Sequence, residues 1–361
     1  MVDNTKLHPL LREPVQYRTW LRGLDRPKVL FETIPEQNEG LMKLGARHIV
    51  SARQFDRQSL LALCRLAAFY ETMPGLPCNP LQNCILISAF FEPSTRTRIS
   101  FESAWQRLGG TIMSITDSST TGIAKGESLQ DVAEMFSNYG DLMVLRDNQN
   151  SSVYKMLEHL RIPIVNAGNG TDEHPTQALS DLYAIFKWRP DLVMEKGDLI
   201  EIGIIGTPKK MRTVRSLLLF LSMISKRIKK VYLINPENDI FSPGQREELE
   251  ESGLGVEHVS DMKVLKQLDV VYINSITWIG DTYERMDEEL RLSSNSPLKD
   301  NAIILHPLAR GKELARDLDE TEHNWYFAQA RGAVYMRMAL LTAVLGRAHL
   351  VANVPMIKAT H

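Results

Sequence analysis

The stretch FFEPSTRTR, residues 90–98, decides how the first half of this chain folds. It follows an apolar, strand-like run at 84–91 and opens a helix-like run at 99–108. A strand that turns sharply into a helix leaves the first amide N–H groups of the helix unpaired, and the helix dipole adds positive charge there. With its hydroxyl residues and two arginines, the stretch predicts an anion site, most naturally for phosphate. An ordinary capped helix with solvated arginines is the alternative.

The length and composition predict a globular protein of two domains. The 361 residues exceed the usual size of a single hydrophobic core. Hydrophobic residues make up 43% and charged residues 24%, as in soluble proteins. The 42 basic and 44 acidic residues give a net charge of −2, which offers no support for a nucleic-acid partner.

The cysteines and the apolar runs predict a cytoplasmic protein with no membrane span. Cys64, Cys78 and Cys84 are few, odd in number and set among apolar residues. We interpret them as reduced core thiols and expect neither a disulfide frame nor a metal site. The N-terminal residues lack the apolar core of a signal peptide, and the most apolar helix-like run, 217–224, is too short to cross a bilayer.

Strand-like and helix-like runs alternate from His48 onward. This alternation predicts an α/β fold of two domains, each a parallel sheet covered by helices on both faces, joined by interdomain helices. A polar extension at 1–44, either a docked arm or partly disordered, precedes a first domain at 45–188 and a second at 189–334, with a hinge near 188–196. The predicted strands lie at 85–91, 111–116, 142–145, 163–166, 199–205, 231–235, 270–273 and 303–305. The predicted helices include 60–70, 128–139, 153–160, one that begins at Pro175, and 335–345.

Ligands in such folds lie at the carboxyl ends of the strands. The polar residues predicted at these ends are Ser94, Arg146, His174, Thr207, Ser275 and His306. A nucleotide-binding oxidoreductase is excluded because no strand is followed by a Gly-x-Gly-x-x-Gly pattern.

Three motifs in register resemble one family. Ser94–Arg98 (STRTR), His174–Leu179 (HPTQAL) and His306–Arg310 (HPLAR) together resemble the aspartate/ornithine carbamoyltransferase family. The likeness covers about residues 48–347 and is closest to the catalytic chain of the aspartate branch. The ornithine branch is less similar, since its His-Cys-Leu-Pro and Ser-Met-Gly motifs are absent.

The resemblance implies transfer of a carbamoyl group from carbamoyl phosphate to an amine. Such a reaction depends on positioning and preorganised charge, so we expect no metal and no cofactor. The first domain would bind carbamoyl phosphate and the second an amino acid. The C-terminal segment 335–361 would return to complete the first domain.

The resemblance also implies the carbamoyl phosphate site. In it Thr97, Arg146 and His174 would form an oxyanion hole, with His174 kept neutral by its place at a helix start. Gln177 would contact the carbamoyl amino group, whereas Arg98 would be structural. The expected site residues are Ser94, Thr95, Arg96, Thr97, Thr121, Lys125, Arg146, His174 and Gln177, of which Arg96, Thr97, Lys125, Arg146 and His174 are expected to be catalytic.

A polar, glycine-containing loop at 118–127 carries Thr121 and Lys125. In the family this loop crosses a subunit interface and supplies a Ser and a Lys to the neighbouring active site. Thr121 stands at the Ser position and keeps the hydroxyl. The resemblance therefore implies a homotrimer with shared active sites, and it leaves any regulatory chain open.

The amino-acid side of the site departs from the family pattern. Arg212 matches the arginine that binds a carboxylate of aspartate, and Leu308 would present its carbonyl to the amino groups. Ser275 and Thr277 replace the arginine and glutamine that hold the second carboxylate, and Ala309 replaces a proline. Arg331, where the family usually has glycine, is a candidate replacement for the lost guanidinium.

Three hypotheses follow. The first is an aspartate carbamoyltransferase that makes N-carbamoyl-L-aspartate for pyrimidine biosynthesis. The second is a carbamoyltransferase with another amino-acid or amine acceptor. The third, a non-catalytic relative, is disfavoured because the residues expected to bind carbamoyl phosphate are retained in register.

Overall fold

The computed structural model describes residue 8 and residues 22–73, 78–274, 278–279, 282–283 and 290–352. The α-helices are α1 (Arg26–Thr33), α2 (Glu39–Met42), α3 (Arg57–Thr72), α4 (Thr95–Arg107), α5 (Leu129–Tyr139), α6 (Ser152–Leu157), α7 (Pro175–Trp188), α8 (Arg212–Ser222), α9 (Gln245–Glu251) and α10 (Tyr326–Val344). The strands are β1 (Ile85–Phe90), β2 (Thr111–Ile115), β3 (Leu142–Asp147), β4 (Ile164–Asn169), β5 (Ile200–Ile205), β6 (Ile228–Ile234), β7 (Val256–Val259), β8 (Val270–Ile273), β9 (Trp278–Ile279), β10 (Thr282–Tyr283) and β11 (Ile303–Leu305).

The first sheet contains four parallel strands in the order β2-β1-β3-β4. Alternate residues of a strand face opposite sides of a sheet. Leu86 and Val144 accordingly share a core with α3, α4, α7 and α10, whereas Ile87 and Met143 pack with α5 and α6. Helices therefore cover both faces of this sheet.

The second sheet contains five parallel strands in the order β11-β8-β5-β6-β7. Ile204 shares a core with α8, whereas Ile205 and Ile273 face the other side. That side is covered in part by 3-10 helices at Met262–Gln267 and Arg316–Leu318. The predicted class, two parallel sheets flanked by helices, is confirmed.

The last helix begins nine residues earlier than the sequence predicts. Gly332 indicates a helix boundary by itself, yet it lies inside α10. A Cβ at this position would sit 2.7 Å from Lys187 Nζ, so the glycine permits close packing of α10 on α7. The helix also packs on α3 and α4, and thereby returns the chain to the first domain.

Part of the predicted N-terminal extension is a docked arm. Leu30 of α1 and Leu41 of α2 are buried against α3. Arg65 of α3 donates to the carbonyl oxygen of Ile34 at 2.9 Å and lies over the Phe31 ring. Within the described ranges, no helix is both long and apolar enough to cross a membrane.

Arg227 organises the predicted hinge, which forms a 3-10 helix at Pro190–Val193. Its buried guanidinium donates to the carbonyl oxygens of Asp191, Met194 and Asp198, among others. These hydrogen bonds fix the hinge to the second domain.

Candidate active site

Glu92 connects the two domains at the facing ends of their sheets. Arg146, near the end of β3, donates from Nη2 to Glu92 Oε1 at 3.0 Å. Arg212, the first residue of α8, donates from Nη2 to both carboxylate oxygens at 3.1 and 3.0 Å. Glu92 lies within the stretch 90–98 but was not among the residues predicted to form the site. The signal that could have found it is its place in the sequence, two residues before Ser94 at the start of the phosphate-type turn.

Arg146 is buried among cations. Its Nη1 donates to the carbonyl oxygen of Ala167 at 3.3 Å, and its buried Nε has no hydrogen-bond partner among the described residues. Burial lowers the pKa of Arg146 to about 10, with further lowering by the charges of Arg212 and Arg96, although Glu92 opposes this. Such a concentration of positive charge favours an anionic ligand.

His174 is buried at the start of α7, directly before Pro175. Its backbone N–H donates to Ser216 Oγ at 3.0 Å, which ties α7 to α8. Burial, together with the charges of Arg146, Arg212 and Arg337, holds the imidazole pKa well below its usual value. The ring is therefore neutral at pH 7, so it can donate one hydrogen bond without carrying charge.

The low pKa of His174 makes stability depend on pH. Below the unfolded pKa of about 6.5, the unfolded chain gains a proton that the folded state does not bind, so stability falls as pH falls. Between about pH 7.5 and about pH 5.5 this histidine alone should cost about 1.4 kcal/mol. Denaturant unfolding at the two pH values measures the loss. In His174→Asn the loss of stability between the two pH values should be smaller by about 1.4 kcal/mol. An equal loss in both proteins would contradict the low pKa of His174.

The residues predicted to bind phosphate lie at the turn from β1 into α4. Ser94 occupies the N-cap of α4, yet its side chain makes no capping hydrogen bond. Thr95 and Arg96 are exposed, whereas Thr97 is buried. This geometry weakens the alternative of an ordinary capped helix, because the Ser94 hydroxyl remains available to a ligand.

Arg98 is structural, as the sequence analysis anticipated. It pairs with Glu102 one turn along α4, at 3.1 Å. Glu102 also accepts hydrogen bonds from Ser88 and Ser114 on the neighbouring strands. Arg98 therefore joins a network that fixes α4 to the sheet.

The His306–Arg310 loop is held by its own histidine. The backbone N–H of Leu308 donates to His306 Nδ1 at 2.8 Å, so Nε2 carries the proton and donates to Glu313 at 2.9 Å. Leu308 has φ 51, a left-handed conformation that places it at a sharp turn. Arg310 is paired with Asp319, so it serves the loop itself.

On the acceptor side of the site, the described residues include Arg212, Thr213 and Asn274. Arg212 Nη1 donates to the carbonyl oxygen of Gly170 at 2.7 Å. Next to it, Asn274 Nδ2 donates to Thr213 Oγ1 at 2.8 Å, a buried pair that the sequence analysis missed. Ser275 and Thr277 lie outside the described residues.

The structure does not place Arg331 in this cluster. Its guanidinium donates to Glu71 on α3 at 3.3 Å and to the carbonyl oxygen of Arg22 at 2.8 Å. Glu71 is also bound by Lys187 and Tyr183. Because α10 is already helical at this position, Arg331 faces the arm and α3. We therefore withdraw it as a replacement for the lost guanidinium.

Thr121 and Lys125 lie on the loop beside the edge strand β2. Thr121 caps the 3-10 helix Gly122–Lys125 by accepting a hydrogen bond from the Ile123 N–H. It lines a cavity of about 460 Å³ between the loop and α5, whereas the Lys125 side chain is exposed. Neither makes a described contact with Glu92, Arg146 or His174 of the same chain.

Known proteins share this architecture. Residues 47–187 match "aspartate/ornithine carbamoyltransferase, carbamoyl-P binding domain", and residues 198–344 match the corresponding "Asp/Orn binding domain". The chain therefore belongs to the aspartate/ornithine carbamoyltransferase family.

Relatives and solved structures point to one branch of that family. The aspartate carbamoyltransferase catalytic subunit of Photobacterium profundum is 36% identical over 83% of this chain and 96% of the relative. That of Methanopyrus kandleri is 36% identical over 83% and 97%. The Trypanosoma cruzi aspartate transcarbamoylase in complex with N-(phosphonacetyl)-L-aspartic acid is 32% identical, with a TM-score of 0.75 over 84% of this chain and 97% of the other.

Proposed function

We propose that this enzyme transfers the carbamoyl group of carbamoyl phosphate to the amine of L-aspartate, giving N-carbamoyl-L-aspartate and phosphate for pyrimidine biosynthesis. The observation that carries the proposal is the cluster of Glu92, Arg146, Arg212 and neutral His174 between two sheets of this family. Relatives named for aspartate and a T. cruzi structure in complex with carbamoyl phosphate and aspartate support the choice of substrates.

The roles follow from the charges of the cluster. The turn from Ser94 to Thr97 holds the phosphate, with Arg96 and Arg146 as cationic partners; among the described residues the Arg146 Nε has no hydrogen-bond partner. Arg146 and His174 stabilise the oxygen that becomes negative when the amine attacks the carbonyl carbon. Arg212 binds a carboxylate of the acceptor, and the Leu308 carbonyl orients its amine. Glu92 keeps the two arginines near each other, which offsets their mutual repulsion.

An assay of carbamoyl phosphate with a panel of amines tests this function. We expect release of phosphate with L-aspartate and formation of N-carbamoyl-L-aspartate, identified by mass spectrometry. Arg212→Gln should raise the aspartate KM about tenfold or more, since a charge-assisted pair is lost. Lys210→Gln, two residues away and paired with Glu237 at the surface, is the matched control.

The departure at Ser275 and Thr277 favours a second candidate, a carbamoyltransferase with another amino-acid acceptor. Two short hydroxyls provide no charge for the second carboxylate of aspartate. Turnover of a neutral amino acid without turnover of aspartate would select this candidate. Binding of carbamoyl phosphate without turnover of any amine would select a non-catalytic relative.

A homotrimer with shared active sites belongs to the proposal. The exposed Lys125 lies beside β2, the edge strand of the first sheet. The elements around it expose large apolar side chains, which is typical of a protein interface. These side chains are Ile99 (51% exposed), Met113 (47%), Met135 (41%) and Tyr139 (49%).

Mixing two inactive variants tests the shared site. Arg146→Ala and Lys125→Ala chains each inactivate every site of their own trimers. In mixed trimers, some sites combine a native Arg146 with a native Lys125 from different chains. We therefore expect activity to return after subunit exchange, to a fraction of the wild-type value. If subunits are shown to exchange and activity does not return, the active sites are not shared between subunits. Lys155→Ala is the control, because this lysine lies on α6 and is not expected to be part of the site.

The three cysteines fit a cytoplasmic enzyme within this proposal. Cys64, Cys78 and Cys84 are free thiols. Burial raises the pKa of each thiol, so none is activated toward oxidation.

A further inference from the structure

A buried carboxylate joins the two halves of the site. Asp181 lies one turn after Gln177 on α7 and is fully buried. Its Oδ1 accepts hydrogen bonds from Gln177 Nε2 at 2.7 Å and from Gln329 Nε2 at 2.6 Å. Gln329 Oε1 in turn accepts the backbone N–H of His306 at 2.8 Å. The chain of hydrogen bonds thus runs from the carbamoyl side to the acceptor loop.

The charge of Asp181 decides how both amides are turned. An ionised carboxylate only accepts hydrogen bonds, so each glutamine must present its nitrogen to Asp181. For Gln329 this leaves the oxygen for His306, as observed. For Gln177 it places Oε1 at the end of the amide away from Asp181. An oxygen there can accept from an amino group, whereas a reversed amide would present a donor and repel it.

We propose that Asp181 is a positioning residue. It orients the Gln177 amide so that Gln177 Oε1 accepts a hydrogen bond from the amino group of carbamoyl phosphate. The inference rests on the proposed function and deepens it, because it explains how a carbamoyl group is distinguished from an acetyl group of the same shape. Asp181 also orients Gln329, which holds the backbone of the His306 loop. One carboxylate therefore helps to orient both substrates.

The ionisation of Asp181 is consistent with this role. Burial raises its pKa to about 6, although the hydrogen bonds from Gln329 and Gln177 and the charge of Arg337 oppose the rise. The carboxylate is therefore ionised at neutral pH. Tyr272 of β8 and Arg337 of α10 are titratable groups that also act on this carboxylate. Burial keeps the pKa of Tyr272 well above its usual value and lowers that of Arg337 to about 10, so neither changes charge between about pH 5 and about pH 8.

Calorimetry with carbamoyl phosphate and acetyl phosphate, without a second substrate, tests the inference. Wild type should prefer carbamoyl phosphate, and Asp181→Asn should reduce that preference about twofold to tenfold, the range of one neutral hydrogen bond. Asparagine can accept or donate, so both orientations of the Gln177 amide become possible. Gln177→Met should lose the preference equally. Glu71→Gln is the matched control. The buried Glu71 carboxylate accepts a hydrogen bond at 2.8 Å from the hydroxyl of Tyr183, which lies on α7 as Asp181 does.

A measurement on wild type covers the case in which Asp181→Asn does not fold. The preference should fall between about pH 8 and about pH 5 as Asp181 becomes protonated, because both ligands carry the same phosphate and its ionisation cancels in the ratio. A preference that survives in folded Asp181→Asn, or in wild type at the lower pH, overturns the inference. Wild type that binds neither acyl phosphate overturns the proposed function, and the inference with it.

Discussion

Replacing Arg146 with alanine should lower kcat/KM for carbamoyl transfer about 10³-fold, the size expected when a preorganised donor to a developing oxyanion is lost. Arg146 is only 12% exposed, and its buried Nε has no partner among the described residues. The charges of Arg212 and Arg96 help to lower its pKa. In the proposed mechanism Arg146 binds both the phosphate and the carbonyl oxygen.

Steady-state kinetics and calorimetry separate the two contributions of Arg146. The loss should appear in kcat as well as in carbamoyl phosphate affinity, because the oxyanion forms only in the transition state. The fold should survive, since Glu92 retains its two hydrogen bonds to Arg212. Arg161→Ala is the control, as this exposed arginine pairs with Glu134 at the surface. A loss below about tenfold would remove Arg146 from the reaction.

Replacing Glu92 with glutamine should lower kcat/KM for the acceptor about 30-fold, equivalent to about 2 kcal/mol, the lower part of the range for breaking a partly buried charge pair. Glu92 is 25% exposed and bridges Arg146 to Arg212 across the domains. Without the charge, the two guanidinium groups repel and the domains separate more easily. The affinity for carbamoyl phosphate should change much less, because its phosphate site lies in the first domain.

A double-mutant cycle distinguishes the bridge from a local effect. Glu92→Gln and Arg212→Gln should be strongly non-additive, since both remove the same interdomain contact. Glu237→Gln, which removes an exposed pair with Lys210, should leave kcat/KM unchanged. Additive losses for Glu92 and Arg212 would show that each acts independently, and the bridge would then have no role in catalysis.

The sequence predicted the fold because its signals are local. Runs such as 85–91 and 142–145 differ from β1 and β3 by one or two residues at an end, since apolar runs and flanking turns define a strand within a few positions. The prediction was wrong for the start of α10, which was placed at 335, after Gly332, whereas the helix begins at Tyr326 and this glycine packs against α7. Local patterns do not record such a contact, which joins positions far apart in the chain.

The sequence predicted residues of the candidate site only where they belong to a recognisable motif. Ser94, Arg146, His174 and Arg212 lie near facing sheet ends, as the strand-to-helix turns and the family resemblance indicate, whereas their catalytic roles remain predictions. Asp181 and Gln329 carried no motif signal. Both are buried polar residues on helices that pack together, so only the packing of α10 on α7 brings them into contact.

By itself, the sequence determined two α/β domains and a phosphate-type turn at Ser94–Arg98, because alternating elements and a strand-to-helix turn are encoded within about ten residues. The tertiary structure alone decided which charges meet. Glu92 reaches Arg146 across 54 positions and Arg212 across 120, and Arg331 is drawn to Glu71 across 260. Charged side chains pair with whatever opposite charge the packing of helices and sheets brings within hydrogen-bond distance, and one chain offers many such partners.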